Sequence, residues 1–165
     1  MQALKAGTTA PDFTLPTTDG KSFTLQDALQ NAPVVLAFFK VSCPTCQYTF
    51  PFLERIHKAY AGKFTIIGVS QNNKKDTDAF IKEYGVSFPV VLDDSKHYAI
   101  SNAYGLTNVP TIFWVEQDGS IELTSVGWAR QDVEEIYHRA ANLLGQKSVP
   151  PLFRADESVA PFRAG

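Results

Sequence analysis

Residues 33–41, PVVLAFFKV, form a continuous apolar run rich in β-branched and aromatic residues, and this run constrains the fold more than any other segment. Such a run predicts a strand that is buried on both faces, as strands of parallel sheets are. Residues 42–46, SCPTC, follow directly and contain both cysteines of the chain. Residues 44–63 then read as a helix with Pro51 inside it, so the cysteines are expected where a buried strand turns into a helix.

Strands and helices alternate beyond the cysteines, which predicts an α/β fold with a mixed central β-sheet flanked by helices. Before the first buried strand, Asp19-Gly20 indicates the turn of an N-terminal β-hairpin at about residues 11–25. We expect one domain at residues 1–145 and an extended C-terminal arm at residues 146–165. The further predicted elements are strands at 64–70 and 88–93, helices at 76–85 and 95–105, a hairpin at 110–127 and a helix at 130–145.

The predicted arm has no hydrophobic periodicity, but it carries Phe-Arg-Ala at residues 153–155 and again at 162–164. Such a segment lies extended on the domain or is disordered. We hypothesise that Phe153 and Phe162 dock on the domain or on a second copy of the chain, which leaves a homodimer through the arm open.

Bulk composition excludes some partners. Fifteen basic residues face seventeen acidic ones, and this balance argues against nucleic acid, which favours a basic excess. No apolar run approaches the roughly 20 residues that span a bilayer. The first residues also lack the apolar core of a secretory signal. The sequence therefore predicts a cytoplasmic protein or, alternatively, the mature form of an exported one.

Two cysteines separated by two residues allow three interpretations. A structural metal site needs about four ligands, and His57, His97 and His138 are scattered without ligand spacing. A structural disulfide gains least stability when its loop is this short. We therefore expect no metal and no other cofactor, and we favour a redox-active disulfide formed by Cys43 and Cys46.

The predicted position of Cys43, between strand and helix, suits redox chemistry. First-turn N–H groups and the helix dipole favour its thiolate, which is the form that attacks disulfides. Cys46 lies one turn later and can displace the product from Cys43. Pro44 suits a first helical turn because its missing N–H would be unpaired there. Cys-x-x-Cys in this context is a specific redox signal.

Three features together resemble the thioredoxin superfamily: FFKVSCPTC, the helix proline Pro51, and VPTIFWV at residues 109–115. The entry segment APDFTLPTTDGKSFTL resembles the branch that holds TlpA-like and ResA-like thiol-disulfide oxidoreductases and AhpC/TSA-type redoxins. The resemblance covers roughly residues 8–145. It implies a thioredoxin-like fold, an active-site loop that includes Ser42, Pro44 and Thr45, and a cis peptide bond at Val109-Pro110. It also implies that the Val109 backbone, beside Pro110, pairs with substrate chains like an added strand.

The chain departs from the family pattern at several positions. Peroxiredoxins carry Pro-x-x-x-Thr-x-x-Cys, and counting back from Cys43 the proline and threonine positions hold Leu36 and Lys40. Ser42 stands where thioredoxins have tryptophan, and Ala37 and Thr49 stand where relatives carry a proton-accepting carboxylate.

The expected function is thiol-disulfide exchange with protein thiol and disulfide substrates, with an electron donor that the sequence does not identify. In this scheme Cys43 is the nucleophile and Cys46 is the resolving thiol. Two alternatives remain open. One is a peroxiredoxin-like hydroperoxide reductase, and the other is a non-catalytic redox-sensing or partner-binding module.

Overall fold

The chain alternates strands and helices around one mixed sheet. The computed structural model describes residues 2–60, 62–146 and 148–165. Its elements are, in chain order, β1 (Thr14–Pro16), β2 (Ser22–Thr24), α1 (Leu25–Leu29), β3 (Val34–Phe39), α2 (Pro44–Tyr60), β4 (Thr65–Ser70), α3 (Lys74–Tyr84), β5 (Val90–Leu92), α4 (Ala99–Ala103), β6 (Thr111–Val115), β7 (Ile121–Val126), β8 (Trp128–Ala129), α5 (Arg130–Leu143) and β9 (Phe162–Arg163).

The central sheet has five strands in the order β5-β4-β3-β6-β7. Strand β3 lies in the middle and pairs parallel with β4 and antiparallel with β6, so that Leu36 lies opposite both Ile67 and Phe113. All of β3 is buried, as its continuous apolar sequence predicts. The mixed sheet flanked by helices is therefore confirmed, and so is the N-terminal hairpin, in which β1 pairs antiparallel with β2.

Apolar side chains pack on both faces of the sheet, because the side chains of β3 alternate between the faces. One face packs against α2 and α5, and the other packs against α1, residues near α4 and the N-terminal segment. On the first face, the ring centroid of Phe39 lies 4.4 Å from that of Phe50 and 4.8 Å from that of Phe80. This aromatic packing anchors the first half of α2, which carries Cys46, on the sheet.

Helix α3 begins at Lys74, two residues earlier than predicted. The side chain of Asn73 caps the helix by accepting a hydrogen bond from the Asp76 N–H at 2.9 Å. The helix ends at Gly85, as predicted, and this residue has φ 66°. Its left-handed conformation is one that glycine adopts without a steric penalty.

Helix α4 is shorter than the predicted helix at residues 95–105. Its N-terminus follows Tyr98, whose positive φ of 51° interrupts helical backbone. The buried carboxylate of Asp93 accepts hydrogen bonds from the N–H groups of Ile100 and Ser101 at 3.1 and 2.8 Å. These contacts start the helix at Ala99 rather than at residue 95.

Residues 148–165 run along the surface of the domain. The Phe153 ring is buried near Phe52 and Trp128, with centroids 5.3 and 6.1 Å away. The Phe162 side chain is 61% exposed, so its ring does not dock on the domain, and docking of this ring on a second copy of the chain stays a prediction. The attachment there is made by backbone instead, because β9 pairs antiparallel with β8. Among the described residues, no helix is both long and apolar enough to span a bilayer.

Candidate active site

The two cysteines lie close together at the N-terminus of α2. Cys43 is half-buried and directly precedes the helix, whereas Cys46 is fully buried in the first turn. Both thiols are free, and the Cys46 N–H donates a hydrogen bond to the Cys43 sulfur at 3.1 Å. A helix-terminal N–H therefore points at the more accessible sulfur, which is the placement that the strand–cysteine–helix pattern predicts.

The loop around Cys43 is held by its neighbours. The Val41 N–H donates to Asn72 Oδ1 at 3.0 Å, and Gln47 Nε2 donates to the Val41 carbonyl at 2.9 Å. Ser42 and Pro44 are exposed on either side of the cysteine. An exposed serine here leaves the approach to Cys43 open, where a tryptophan would cover part of it.

Cys46 has an apolar environment. Burial raises the pKa of its thiol, and the hydrogen bond with Cys43 raises this pKa further. Ala37 and Thr49 are fully buried and uncharged, and the Thr49 hydroxyl donates to the Thr45 carbonyl at 2.7 Å. The positions where relatives carry a carboxylate thus supply none in this chain, and Cys46 is held as a neutral thiol.

A second loop lies beside the cysteines. The Val109–Pro110 peptide bond is cis, and the Cys43 thiol donates to the Val109 carbonyl at 3.4 Å. The Thr111 hydroxyl donates to the Asn108 carbonyl at 2.7 Å. The Val109 backbone therefore faces Cys43, and these bonds hold its loop in place.

The end of the arm also reaches this site, which sequence reasoning missed. The Thr45 hydroxyl donates to the Ala164 carbonyl at 2.6 Å, and Asn108 Nδ2 donates to the Gly165 carbonyl at 3.4 Å. A methyl group added to Gly165 would overlap the Val109 carbonyl oxygen. The repeated Phe-Arg-Ala marks the arm in the sequence, but it does not indicate that the second copy lies beside Cys43.

Two aromatic side chains, those of Tyr48 and Trp128, bind the part of the arm that leads to the site. The Tyr48 hydroxyl accepts the Ala160 N–H at 3.1 Å, and Trp128 Nε1 donates to the Ala160 carbonyl at 2.6 Å. The guanidinium carbon of Arg163 lies 4.5 Å from the centroid of the Tyr48 ring. Cation–π contacts of this kind contribute about 0.5–1 kcal/mol at exposed sites.

The histidines do not join the site. The ring centroid of His57 lies 5.9 Å from that of Phe88, and His97 Nδ1 lies 2.7 Å from an Asp94 carboxylate oxygen. Within residues 2–60, 62–146 and 148–165, no group of three or more His, Cys, Asp or Glu side chains is placed to hold a metal ion.

Similarity to known proteins extends over most of the chain. The chain is 33% identical to the thiol-disulfide oxidoreductase ResA of Halalkalibacterium halodurans over 79% of its own length and 74% of that protein. It is 30% identical to ResA of Bacillus subtilis over 87% of its own length and 78% of the relative. A structure from Chlorobium tepidum, assigned as a thiol:disulfide interchange protein DsbE, superposes with a TM-score of 0.75 at 28% identity. That superposition covers 87% of this chain and all of the other.

The sequence model of the AhpC/TSA family matches residues 6–124, which is most of the chain. The match includes both cysteines and the loop of Val109 and Pro110. The chain belongs to the AhpC/TSA family.

Proposed function

We propose that this protein is a thiol-disulfide oxidoreductase that exchanges disulfides with protein substrates, with Cys43 as the nucleophile and Cys46 as the resolving thiol. One observation carries the assignment. Two free cysteines lie together at a helix N-terminus, and the N–H of the buried one donates to the sulfur of the accessible one. The relatives that are named thiol-disulfide oxidoreductases support it.

In the first half of the reaction, the Cys43 thiolate attacks one sulfur of a substrate disulfide. A bond forms between the Cys43 sulfur and that sulfur, and the substrate disulfide bond breaks. The second substrate sulfur leaves as a thiolate with the bonding electron pair and takes up a proton. The Cys46 N–H supports this step, because a donor aimed at a sulfur stabilises negative charge there.

In the second half, Cys46 loses its proton to water, and its thiolate attacks the Cys43 sulfur. The Cys43–Cys46 disulfide forms, and the first substrate sulfur leaves as a thiolate that takes up a proton. The protein dithiol is thereby oxidised by two electrons, and the substrate disulfide is reduced to two thiols. The reverse sequence oxidises a substrate dithiol, so the same residues serve exchange in either direction.

The Val109 backbone supports a polypeptide substrate. Its carbonyl faces Cys43 at 3.4 Å, and the neighbouring loop is held by the bond between Thr111 and Asn108. An extended chain can add to such a backbone as a strand, which brings its cystine to Cys43. Val109 and Pro110 are therefore assigned to substrate binding, and Ser42, Pro44 and Thr45 to the active-site loop.

The reduction of insulin by dithiothreitol tests the proposed function. The wild-type protein should accelerate the precipitation of insulin, and Cys43→Ser should return the rate to that of dithiothreitol alone. Cys46→Ser should accumulate a mixed disulfide between Cys43 and the substrate, visible by mass spectrometry. Ser42→Ala is the matched control and should retain at least about half of the activity, because Ser42 belongs to the active-site loop but its exposed side chain forms and breaks no bond in the exchange. An unaccelerated reaction with the wild-type protein would favour the redox-sensing alternative.

The hydroperoxide reductase alternative has its own measurement. Leu36 and Lys40 replace the proline and threonine of the peroxiredoxin motif, so we expect peroxide to oxidise Cys43 no faster than it oxidises a simple thiol. Stopped-flow oxidation with hydrogen peroxide gives this rate. A much faster reaction would favour the peroxidase.

The compartment determines the direction of electron flow. A cytoplasmic location, which the sequence predicts, favours donation of electrons to substrate disulfides, whereas an exported form works in an oxidising environment. A reduction potential near about −270 mV would support an electron donor, and one near about −120 mV an acceptor.

A further inference from the structure

The end of the arm is bound as a short strand next to the proposed substrate site. In the pairing of β9 with β8, Arg163 lies opposite Trp128, and Phe162 lies opposite Ala129. The Arg130 N–H also donates to the Pro161 carbonyl at 3.0 Å. This is the arrangement of an extended peptide that adds to a sheet edge.

This strand ends at the Val109 backbone. The Thr45 hydroxyl holds the Ala164 carbonyl, and the backbone of Gly165 lies against the Val109 carbonyl, which is also the acceptor for the Cys43 thiol. A substrate chain that pairs with Val109 must come to the same place. The arm tip, residues 161–165, and a polypeptide substrate therefore exclude each other.

The chemistry of the arm tip matches the groove that holds it. The guanidinium of Arg163 lies on the Tyr48 ring, and the described residues place no carboxylate within 4.0 Å of it. The next two residues are small, and the space at Gly165 admits no side chain toward Val109. The groove also depends on Gly127, where an added Cβ would lie 2.6 Å from the Arg163 carbonyl oxygen.

The tip is more exposed to solvent than the part of the arm around Phe153. Residues 161–165 are all exposed, whereas Leu152 and Phe153 are buried and Glu157 pairs with Arg55 at 2.6 Å. The tip can therefore leave the groove while the preceding part of the arm stays attached.

We propose that the groove formed by Tyr48, Thr45, Val109 and the edge of β8 binds extended polypeptides. The preferred polypeptide places a cationic side chain on the Tyr48 ring and has small residues after it. The arm tip occupies this groove as an intramolecular competitor until a substrate displaces it. The proposal rests on the proposed function and names the substrate class of that site. The partner it fits is a polypeptide disulfide with an arginine shortly before the reacting cysteine.

Variants of the full chain test the competition. Arg163→Ala removes the contact with Tyr48, and Gly165→Ala forces the tip away from Val109. Arg163→Ala should lower the KM for a peptide disulfide by about two- to fivefold, the range set by one exposed cation–π contact. Gly165→Ala should lower it as well, because the added Cβ would lie 2.4 Å from the Val109 carbonyl oxygen. Neither should change kcat by more than about a third of its wild-type value. Arg139→Ala is the matched control, because it removes an arginine whose guanidinium carbon lies 5.8 Å from the centroid of the Trp114 ring, outside the arm.

A pair of model peptides tests the selectivity of the groove. One contains Pro-Phe-Arg-Ala-Gly-Cys and the other Pro-Phe-Glu-Ala-Gly-Cys, each as its symmetric disulfide. The wild-type protein should reduce the arginine peptide with a kcat/KM about two- to fivefold higher, and Tyr48→Leu should abolish the difference. Equal values for the two peptides in the wild-type protein would overturn the selectivity.

Hydrogen exchange supplies a readout that does not depend on turnover. Cys46→Ser traps the arginine peptide as a mixed disulfide on Cys43, because no resolving thiol remains to displace it. The amides of residues 162–165 should then exchange faster than in the unmodified variant, and those of residues 152–157 should not change. A tip that stays protected in the trapped complex would overturn the competition.

These experiments distinguish a failure of this inference from a failure of the proposed function. Reduction of both peptides at equal rates, with no effect of Arg163→Ala or Gly165→Ala, would overturn this inference and leave the proposed function standing. Reduction of neither peptide and no acceleration of insulin precipitation would overturn the proposed function and this inference with it.

Discussion

The two sulfurs of the active site have different surroundings, although only two residues separate them. Cys43 is half-buried and accepts an N–H, while Cys46 is fully buried beneath it. Burial disfavours a charged thiolate, and this explains the raised pKa of Cys46. In the proposed reaction, the resolving step depends on solvent to remove the Cys46 proton, because Ala37 and Thr49 provide no carboxylate.

This dependence predicts a pH profile for the resolving step. Since the pKa of Cys46 is raised, its thiolate fraction at neutral pH is small and grows with pH. We expect the single-turnover rate of mixed-disulfide resolution to rise by about tenfold per pH unit between about pH 7 and 9. Acid quenching followed by mass spectrometry measures the remaining mixed disulfide. A rate that is constant over this range would show that the protein itself accepts the proton.

At the scale of elements, the arm is fixed to α2 by an ion pair. Arg55 donates from both terminal nitrogens to the two carboxylate oxygens of Glu157, at 2.6 and 2.8 Å, and also to the Leu152 carbonyl at 3.3 Å. The Arg154 N–H donates to the same carboxylate at 2.8 Å. Such two-pronged contacts define geometry as well as adding energy. The ion pair therefore fixes the path along which the arm approaches the site.

The ion pair predicts an acid-sensitive attachment. The Arg55 guanidinium lowers the pKa of Glu157 to about 2 from its ordinary value of 4.5. A lowered pKa contributes stability that is complete above the ordinary value and is lost as pH falls through the lowered one. We expect the amides of residues 152–157 to exchange faster, relative to intrinsic rates, as pH falls from about 4.5 to 2. At neutral pH, Glu157→Gln should cause the same loss of protection.

A second ion pair provides the control for this prediction. Glu135 and Arg139 lie one turn apart on α5, 3.1 Å from each other, and the glutamate is 51% exposed. Exposed pairs of this type contribute little, so Glu135→Gln should leave the exchange of the arm unchanged. An equal effect of the two substitutions would mean that loss of charge, rather than the contact with Arg55, loosens the arm.

At the scale of the whole molecule, stability depends on the aromatic packing between α2 and the sheet. Phe50 is fully buried, with ring centroids 4.4 Å from Phe39 and 5.7 Å from Phe88. We expect Phe50→Ala to lower the free energy of unfolding by about 3–5 kcal/mol in urea titrations. Phe162→Ala, at a ring that is 61% exposed, should change it by less than about 0.5 kcal/mol. If both substitutions lowered the free energy of unfolding by similar amounts, this would contradict the conclusion that stability depends on the packing between α2 and the sheet.

The sheet and the cysteine pair could be predicted because their signals are local. A continuous apolar run specifies a strand buried on both faces, and two cysteines after it mark the start of α2. The start of α4 could not be predicted in this way, because it depends on hydrogen bonds that the Asp93 carboxylate accepts from the N–H groups of Ile100 and Ser101. The position of the arm tip could not be predicted either. It depends on backbone pairing with β8, and backbone groups carry no sequence signature.

The contact between Gly165 and Val109 has a practical consequence for experiments on this protein. A purification tag or a fluorescent protein joined after Gly165 would emerge at the mouth of the catalytic cleft. Turnover measured with such a fusion would describe an altered enzyme. Biochemical work should therefore compare a fusion placed before residue 1 with one placed after residue 165 before any rate is assigned to residues 1–165.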